Sequence, residues 1–544
     1  MENSNNINNI NNINNINNIN NINNINHLIA SIDESINNRG DQVTVINMNG
    51  TQLPENDYLD TQDNTSNKKQ INRLLERETE KLSSGALQTA ILTMQHRSQE
   101  FFLRNGRNRT YRIDVYGCQM NERDAETCAG LLDEMGFIRV EHHEPADIIV
   151  FVTCCVRENA EDKIYGHFGM LANECIDRGS YIISGGCMMQ LPHVVAKIKK
   201  SYPQVKVVFG THNIHRLPEL VLQAETTGKR VYEIFDEPLH QMQHLPVTRL
   251  DKIRAWVAIT AGCNNFCTYC IVPHVRGRER SRPFHEVMEE IRELAASGYK
   301  ELTLLGQNVN SYGNDFGETD LFARLLHAIE TIDGIERVRF MTSHPKDLSE
   351  NLIHAMKTCK KLSSHLHLPV QAGSDHVLKR MNRIYTKEHY INLVKHIREE
   401  IPEISLSTDI IVGFPGETDD DFEETIDLVQ QVQYDFAFMF MYSMRKGTPA
   451  AEYQDQVPQE IVSARFQRLL RLQTDIATEI ASNLEGKILE VLVEGKSKEN
   501  AEMYAGRTSG NRLVNFTAAE DRTGELVHVR IIKAGAFWLL GESV

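Results

Sequence analysis

Short apolar runs alternate with amphipathic segments between residues 109 and 235. The apolar runs are YRIDVYG, DIIVFVT, SYIISGG and VKVVFG, and the segments between them have the polar and apolar spacing of helices. Strands that alternate with helices indicate a parallel sheet with helices packed on its faces. We therefore predict a parallel α/β domain over residues 109–235.

The same alternation continues over residues 248–482, with six strand-like runs. They are IRAWVAIT, KELTLLG, ERVRFMT, SHLHLPV, SLSTDIIVGF and YDFAFMFMYS, and helical stretches such as FHEVMEEIRELAASG separate them. Six strand–helix units predict a partial (β/α)6 barrel, with functional groups at the carboxyl ends of the strands. Residues 483–544 change to five short strands without helices, which predicts a small antiparallel β-barrel.

The amino-terminal part has no such pattern. Residues 1 to about 26 repeat the triplet Asn-Asn-Ile, whose period of three fits neither a strand nor an amphipathic helix. Asn-rich tracts are usually disordered, so residues 1–68 are predicted to be a disordered tail, with a partner-binding arm as the alternative. Residues 69–108 are predicted to be a helical lead-in with a break at Ser83-Ser84-Gly85.

Composition narrows the class of protein. No apolar run is long enough to predict a transmembrane helix, and the first residues lack the pattern of a secretory signal. We therefore expect a cytoplasmic protein without a membrane partner. Its 10 cysteines then indicate metal ligands, catalytic groups or buried thiols rather than disulfides. A net charge of −16 disfavours nonspecific nucleic-acid binding but leaves room for a local basic site.

The first candidate for chemistry is a C-x3-C-x2-C motif formed by Cys263, Cys267 and Cys270. Three close thiolates can hold three irons of a 4Fe–4S cluster and leave the fourth iron open, whereas ordinary cluster proteins supply four cysteines. A zinc site that includes His274 and a purely structural role are the alternatives. Zinc sites favour paired C-x2-C units or Cys/His sets, and no second pair follows here.

The second candidate is a set of cysteines that each follow a predicted strand. They are Cys118, Cys154 and Cys187. Because the carboxyl ends of parallel strands lie along one edge of a sheet, these side chains can converge. Cys155 adjoins Cys154 and is an alternative to it, while Cys128 and Cys175 fall within predicted helices and are expected to be structural.

These motifs resemble a known enzyme family. The run ITAGCNNFCTYC resembles the radical S-adenosylmethionine (SAM) superfamily, and YGCQMNERD, VTCCVRENAEDKIYG and GGCMMQ resemble radical SAM methylthiotransferases. The chain departs from the family pattern at Val152, where Asn is usual, and at Cys155, where a small residue is common. The resemblance implies a flavodoxin-like amino-terminal domain and, at GRTSGNRLVNF, a carboxyl-terminal TRAM domain.

The resemblance also implies the cofactors. A 4Fe–4S cluster on the C-x3-C-x2-C motif would bind SAM at its open iron and cleave it to a 5′-deoxyadenosyl radical. An auxiliary 4Fe–4S cluster would be held by Cys118, Cys154 and Cys187. The segments GQNVNSYG (306–313) and GFPGET (413–418) would contact SAM. The implied SAM-binding residues are Tyr269, Gly306, Gln307, Asp409 and Gly413.

Several residues have two interpretations. Glu417 is either a SAM contact or, with Thr418, part of a helix cap. His365 and His367 lie on one face of a strand and are either core residues or catalytic residues.

Four arginines follow the cysteine motif closely, and they either hold phosphates or belong to a solvated loop. They are Arg276, Arg278, Arg280 and Arg282. Arg465, Arg468 and Arg471 share a helix face that is either solvated or functional. Phe516 stacks on a base or fills the small barrel.

The segments GQNVNSYG and VRENAE and the TRAM-like ending resemble the MiaB-type branch of the family. That resemblance implies methylthiolation at C2 of N6-isopentenyladenosine beside the anticodon of tRNA. It further implies an electron donor such as flavodoxin or ferredoxin, and a sulfur donor unless the cluster itself supplies the sulfur. Threonylcarbamoyladenosine in tRNA and a ribosomal-protein aspartate are alternative substrates. A two-cluster electron carrier and a noncatalytic RNA-binding protein are alternatives of a different class.

Overall fold

The computed structural model describes residues 64–155, 158–237 and 245–544. Residues 1–63 of the predicted tail therefore lie outside the described residues. The chain divides into two compact units, Met1–Leu75 and Glu76–Val544, and the second contains all the strands discussed below. None of the helices in the described ranges is long and apolar enough to span a membrane.

The helix α1 (Asn64–Asn105) is continuous, so the predicted break at Ser83-Ser84-Gly85 is wrong. Residues 64–68 belong to this helix, so the boundary predicted for the tail at residue 68 is wrong as well. A glycine inside a helix costs only about 1 kcal/mol relative to alanine. The turns that follow are held by packing, because Leu87, Ile91 and Met94 are buried in the core of the first domain. Tertiary packing of this kind stabilises a helix more than intrinsic propensity does.

The first domain is a six-stranded, wholly parallel sheet in the order β2-β1-β3-β4-β5-β6. Its strands are β1 (Thr110–Val115), β2 (Ile138–Arg139), β3 (Ile148–Thr153), β4 (Tyr181–Gly186), β5 (Val205–Phe209) and β6 (Val231–Glu233). Its helices are α2 (Gln119–Glu134), α3 (Glu158–Arg178), α4 (Pro192–Ser201) and α5 (Leu217–Thr227). The parallel α/β prediction is confirmed, although the sequence pattern missed the short edge strands β2 and β6.

Burial explains the pattern of the central strand β3, all of whose residues are buried. Ile148, Val150 and Val152 belong to one apolar core, whereas Ile149 and Phe151 belong to another. Successive side chains of a strand point to opposite faces, so the sheet separates two cores. A continuous apolar run is expected for a parallel strand that is covered on both faces.

The second domain is the predicted partial barrel. Its parallel strands are β7 (Arg254–Ala258), β10 (Glu301–Leu305), β11 (Arg337–Phe340), β12 (His365–His367), β13 (Ser405–Val412) and β14 (Phe436–Met441). Two three-stranded sheets, β11-β10-β7 and β12-β13-β14, are joined by a parallel bridge between Val338 and Leu362. No pairing closes β14 onto β7 within the described residues, so the barrel has an open side.

Helices surround the partial barrel and an antiparallel ribbon braces its first loop. The ribbon pairs β8 (Thr260–Ala261) with β9 (Arg280–Ser281). The helices are α6 (Val272–Arg276), α7 (Phe284–Ala296), α8 (Leu321–Glu330), α9 (Glu350–Thr358), α10 (Asp375–Arg380), α11 (Lys387–Glu400), α12 (Asp419–Val432) and α13 (Gln459–Ser482).

The third domain is a closed barrel in the order β15-β16-β17-β19-β18. Its strands are β15 (Ile488–Lys496), β16 (Tyr504–Thr508), β17 (Leu513–Thr517), β18 (Leu526–Gly535) and β19 (Trp538–Ser543). The predicted barrel is confirmed, but β17 and β19 pair in parallel while the other four pairings are antiparallel. Phe516 is fully buried in this barrel, so it fills the core and is not available to stack on a base.

The turn between β16 and β17 packs against the amino ends of the partial-barrel strands. Arg337 donates to the Arg507 carbonyl oxygen at 2.8 Å, and Arg339 donates to the carbonyl oxygen of Thr508 at 2.8 Å. Arg512 donates to Asp435 Oδ1 at 2.7 Å, and its guanidinium lies 4.9 Å from the centre of the Phe436 ring. The Gly-Arg-Thr-Ser-Gly-Asn segment therefore joins two domains.

Replacing Arg512 with alanine should lower the stability of this junction, because Asp435 would lose its buried partner. Breaking a buried ion pair costs about 3 kcal/mol, whereas an exposed pair contributes less than about 1 kcal/mol. Thermal unfolding should show a lower Tm for Arg512→Ala. Arg522, which pairs with Glu525 on the surface, supplies the matched control. Equal Tm values for Arg512→Ala and Arg522→Ala would contradict the interpretation.

Candidate active site

The C-x3-C-x2-C motif lies in the loop that follows β8, at the carboxyl end of the first barrel strand. The Cys263 amide donates to the Gly277 carbonyl oxygen at 3.2 Å, and the Cys270 amide donates to the Cys267 carbonyl oxygen at 2.9 Å. Burial, reinforced by the charge of Cys267, raises the pKa of Cys270 to about 12, and burial also raises the pKa of Cys263. A metal centre would supply the positive charge that deprotonates them.

A buried arginine accompanies this motif and was not found by the sequence analysis. Arg383 Nη1 lies 3.6 Å from Cys267 Sγ, and its Nη2 donates to the Pro369 carbonyl oxygen at 2.6 Å. Its Nε donates to the Tyr385 hydroxyl at 2.8 Å. Arg383 is 116 residues from Cys267 along the chain, so no local motif could have indicated the contact.

The structure brings the second cysteine set to the carboxyl ends of β1, β3 and β4. Cys118 is the amino-terminal cap of α2. The pKa of Cys118 is lowered to about 6, chiefly by a hydrogen bond with Cys154. The positive charge of Arg276 and the first backbone amides of α2 also lower it. Gly117 has φ +134°, and a Cβ there would lie 2.4 Å from the Cys154 Cβ. This close approach therefore requires glycine.

Cys155 lies on a different side of the same loop. Its side chain belongs to the apolar core that contains Phe168 and Met188. A hydrogen bond with Cys187 and burial raise the pKa of Cys155 well above its usual value. Cys154 is thus near Cys118, whereas Cys155 is near Cys187. Cys128 and Cys175 are buried within α2 and α3, as their structural role predicts.

Arg276 connects the two cysteine sets. It ends α6, six positions after the last cysteine of the motif, and is buried. Its Nε donates to Cys187 Sγ at 3.1 Å, and its Nη2 donates to Asn121 Oδ1 at 2.9 Å and to Asp124 Oδ2 at 2.6 Å. These contacts occupy the guanidinium, so both the phosphate-binding and the solvated interpretation are wrong for Arg276.

The other loop arginines are also engaged within the protein. Arg282 pairs with Glu290 at 2.6 Å, and Arg280 donates to the Arg278 carbonyl oxygen at 2.9 Å. The exposed Arg278 guanidinium lies 4.4 Å from the centre of the Phe266 ring. The run of arginines is therefore chiefly a structural brace for the cysteine loop.

Each cysteine set fits thiolate ligation of an iron–sulfur cluster. In each set one cysteine sulfur is in contact with a buried arginine guanidinium, and the cysteines lie within electrostatic range of one another. No group of three His, Cys, Asp or Glu side chains in the described ranges forms a site for a single metal ion. A cubane cluster presents its irons at separate corners, so its ligands need not meet at one point.

Unpartnered polar atoms mark the carboxyl end of the partial barrel. They follow strands β7, β10, β11 and β14, and within the described residues they are buried without a hydrogen-bond partner. They are Thr260 Oγ1, Gln307 Oε1, Asn308 Oδ1, Ser343 Oγ, Tyr442 OH and Ser443 Oγ. Buried polar groups are nearly always paired in folded proteins, so this group indicates a polar ligand. Gly306 lies beside them, because a Cβ there would be 2.1 Å from Thr260 Oγ1.

The loop 413–418 is held by Glu417, which is buried. Its carboxylate accepts from the Gly413 amide at 3.0 Å and from Arg465 Nη1 at 2.7 Å. Thr418 caps α12 through a capping box with Asp421, which confirms the capping interpretation for Thr418. Arg465 is thus an internal brace rather than a solvated residue, while Arg468 pairs with Glu423 at the surface and Arg471 is exposed.

The remaining predicted residues lie near the inner face of the barrel. His365 Nε2 and His367 Nδ1 both contact Ser407 Oγ at 2.9 Å, so both are satisfied core histidines. Asp409 Oδ2 lies 3.5 Å from His367 Nε2. Tyr269 packs against the barrel core beside the cysteine motif. Asp409 therefore lies beside His367, and its contact with SAM stays a prediction.

Curated relatives match the chain along most of its length. A tRNA-2-methylthio-N(6)-dimethylallyladenosine synthase of Acetivibrio thermocellus is 51% identical over 443 residues, which cover 81% of this chain and 92% of that protein. A synthase of the same name from Clostridium botulinum strain Okra is 51% identical over 433 residues, which cover 79% of this chain and 96% of that protein. The chain belongs to this family.

Domain matches follow the three folded parts of this family member. Residues 110–210 match the Uncharacterized protein family UPF0004, residues 257–429 match the Radical SAM superfamily, and residues 483–544 match the TRAM domain. Among solved structures, the radical S-adenosylmethionine methyltransferase TsrM from Kitasatospora setae has a TM-score of 0.47 at 14% identity. That alignment covers 63% of this chain and 74% of TsrM.

The lowered pKa of Cys118 predicts selective alkylation of the metal-free protein. Cys118 is exposed and should be a thiolate above pH 6, because its pKa falls from the usual 9.0 to about 6. Iodoacetamide at pH 7 should modify it first, and the rate should fall as the pH drops through 6. Mass spectrometry of tryptic peptides gives the rates, with buried Cys128 as the internal control. A rate that rises only near pH 9 would contradict this assignment.

Proposed function

We propose that this protein is a radical SAM methylthiotransferase that acts at C2 of N6-isopentenyladenosine beside the anticodon of tRNA. The observation that carries the proposal is the 51% identity to synthases named for that product, over nearly their whole length. The two cysteine sets, joined by Arg276, supply the matching chemistry. An electron carrier would not need the unpartnered polar groups at the end of the barrel.

The proposed ligands form two sets of three. The cluster that binds SAM is held by Cys263, Cys267 and Cys270. The auxiliary cluster is held by Cys118, Cys154 and Cys187. When bound, these clusters and SAM supply the radical that breaks an unreactive aromatic C–H bond and the site from which sulfur is transferred. The chain itself orients these groups.

The proposed SAM site uses the carboxyl end of the barrel. Gln307 Oε1 is buried without a partner in the described ranges, so it can accept from a polar ligand. The backbone of Gly306 and Gly413 leaves room for that ligand, and Asp409 can accept from its hydroxyl or amino groups. Tyr269 holds the cysteine loop against the barrel. These positions support the five SAM contacts implied by the sequence.

An aromatic pair, Phe438 and Phe440, supports a prenylated substrate. Phe438 is paired in register with Asp409, and its ring lies 5.9 Å from that of His367, so the pair faces the inside of the open barrel. Phe438 is 52% exposed and Phe440 is 43% exposed. An accessible apolar surface suits an isopentenyl group better than a threonylcarbamoyl group, whose carboxylate would lose its hydration there.

The tRNA partner is supported by the TRAM match and by aromatic residues that sequence analysis overlooked. Phe537 and Trp538 are exposed on the small barrel and can stack on unpaired bases. We propose that catalysis further requires an electron donor such as flavodoxin or ferredoxin, and a sulfur donor. We also propose a cytoplasmic location, which a tRNA substrate supports.

The decisive test is anaerobic reconstitution followed by incubation with SAM, a reductant and tRNA that carries isopentenyladenosine. About eight irons per chain and a 2-methylthio nucleoside by mass spectrometry are expected for two 4Fe–4S clusters. Cys267→Ala should abolish SAM cleavage while tRNA binding remains. SAM cleavage without the 2-methylthio product would move the substrate to threonylcarbamoyladenosine or to a ribosomal-protein aspartate. Eight irons without SAM cleavage would identify an electron carrier instead.

Adjacent cysteines provide a matched pair of variants for the auxiliary site. Cys154→Ala should lose about four irons and all thiolation while retaining SAM cleavage, because it removes one ligand of one cluster. Cys155→Ala should retain iron and thiolation, since Cys154, and not Cys155, is the thiol that is hydrogen-bonded to Cys118. Iron analysis, SAM-cleavage assays and nucleoside mass spectrometry measure the three properties. The reverse result would assign Cys155 as the ligand.

Removing the aromatic pair should weaken use of the prenylated tRNA. The double variant Phe438→Ala, Phe440→Ala is expected to lower kcat/KM at least about tenfold, because each buried phenyl contact contributes about 1.5 kcal/mol or more. Iron content should not change. Phe102→Ala, which removes an exposed phenylalanine from α1, serves as the control. An unchanged kcat/KM in the double variant would show that the prenyl group binds elsewhere.

A further inference from the structure

Arg276 belongs to the SAM-cluster loop, and its side chain donates a hydrogen bond to a sulfur of the other cysteine set. It follows Cys270 by six positions, yet its Nε lies 3.1 Å from Cys187 Sγ. The side chain is only 6% exposed. A buried guanidinium N–H at this distance makes a charge-assisted hydrogen bond to the Cys187 sulfur whenever that sulfur is the thiolate ligand of a cluster.

The other end of the guanidinium is anchored to the helix that starts at Cys118. Nη2 donates to Asn121 Oδ1 at 2.9 Å and to Asp124 Oδ2 at 2.6 Å, and both residues lie in the first two turns of α2. Asn121 Nδ2 in turn donates to the Tyr116 carbonyl oxygen at 2.9 Å. Arg276 is therefore held in one orientation by the same segment that carries Cys118.

The backbone around Arg276 is also fixed to the first domain. Ile271 and Val275 belong to the apolar core that includes Cys187 and Met188. The Thr211 hydroxyl donates to the Val275 carbonyl oxygen. Movement of the SAM-cluster loop relative to the auxiliary cysteines would have to break these contacts together. The position of one cysteine set is thereby tied to the position of the other.

Hydrogen bonds to cluster sulfurs and nearby charge are two of the factors that set the reduction potential of an iron–sulfur centre. Reduction adds negative charge to the cluster and its thiolates, so a buried cationic donor stabilises the reduced form more than the oxidised form. Arg276 supplies the donor at Cys187, and its positive charge there is partly offset by the Asp124 carboxylate, which lies 2.6 Å from Nη2. Arg383 makes a longer contact, 3.6 Å, to Cys267 in the other set.

We propose that Arg276 is a positioning residue that raises the reduction potential of the auxiliary cluster through its hydrogen bond to Cys187 and fixes that cluster against the SAM-cluster loop. This inference rests on the proposed auxiliary ligands Cys118, Cys154 and Cys187. Arg276 is not a catalytic residue in this account, because its contacts are to a ligand sulfur and to α2. Its effect on turnover is indirect.

The test measures the auxiliary cluster alone. A protein with Cys263→Ala, Cys267→Ala and Cys270→Ala should bind about four irons, and a redox titration followed by electron paramagnetic resonance gives its midpoint potential. Adding Arg276→Met should shift that potential to a more negative value and change the spectrum of the reduced cluster. Arg276→Lys should shift it less, because one ammonium group keeps the charge but cannot contact Cys187 and Asp124 as a fork.

Arg278→Met is the matched control, since it removes an exposed arginine two positions away in the same loop. It should leave the midpoint potential and the spectrum unchanged. An Arg276→Met potential equal to that of the parent, or an equal shift in Arg278→Met, would overturn the proposal. If the Arg276→Met variant does not hold iron, the Arg276→Lys variant provides the test. A midpoint potential more negative than that of the parent supports the proposal, and a potential equal to that of the parent overturns it.

The iron content of the parent separates this inference from the function on which it depends. A parent without iron would show that the proposed auxiliary ligands are wrong. A parent with about four irons and a potential insensitive to Arg276 would leave the auxiliary site intact and reject the role of Arg276 alone. In the protein with all its cysteines, Arg276→Met should leave the potential of the SAM cluster unchanged.

Discussion

Parallel strand pairing is the constraint on which the chemistry of this protein depends. Every strand of a parallel sheet runs in the same direction, so the residues that follow the strands share one edge. Cys118, Cys154 and Cys187 reach one edge of the first sheet in this way, although 69 positions separate the first from the last. The six unpartnered polar atoms named above at the carboxyl end of the partial barrel follow their strands in the same way.

Buried arginines connect these edges to one another. Arg276 joins the two cysteine sets, Arg465 holds the loop 413–418 and Arg512 joins the small barrel to the larger one. Each guanidinium has a carboxylate partner, which offsets the cost of removing its charge from water. A planar group with five donors in a fixed fork can contact several segments at once, whereas the lysine ammonium lacks that fixed geometry. The domain interfaces use that property repeatedly.

The two ends of the partial barrel have different roles. At the carboxyl end the polar atoms are left without partners in the described ranges, and the inner aromatic pair is accessible. At the amino end Arg337 and Arg339 donate to the carbonyl oxygens of the β16–β17 turn, which covers that end. This contrast supports the proposal that a ligand enters at the carboxyl end. The small barrel packs against the amino end, and its exposed Phe537 and Trp538 are the proposed contacts to RNA.

The sequence by itself determined the parallel α/β domain, the six-stranded partial barrel and the small barrel, because hydrophobic periodicity is a local property. Both cysteine sets stay predictions, from close spacing for the first set and from position after predicted strands together with the family resemblance for the second. The sequence could not determine the side-chain partners. The sequence suggests phosphate binding or solvation for Arg276, and solvation or a functional role for Arg465, yet both are buried and paired within the protein. Arg383 gives no signal because its sulfur contact is distant in sequence. The break expected in α1 was wrong since packing outweighed the low propensity of Gly85. Only the tertiary structure decided such contacts, because they depend on which distant segments the folded sheets place side by side.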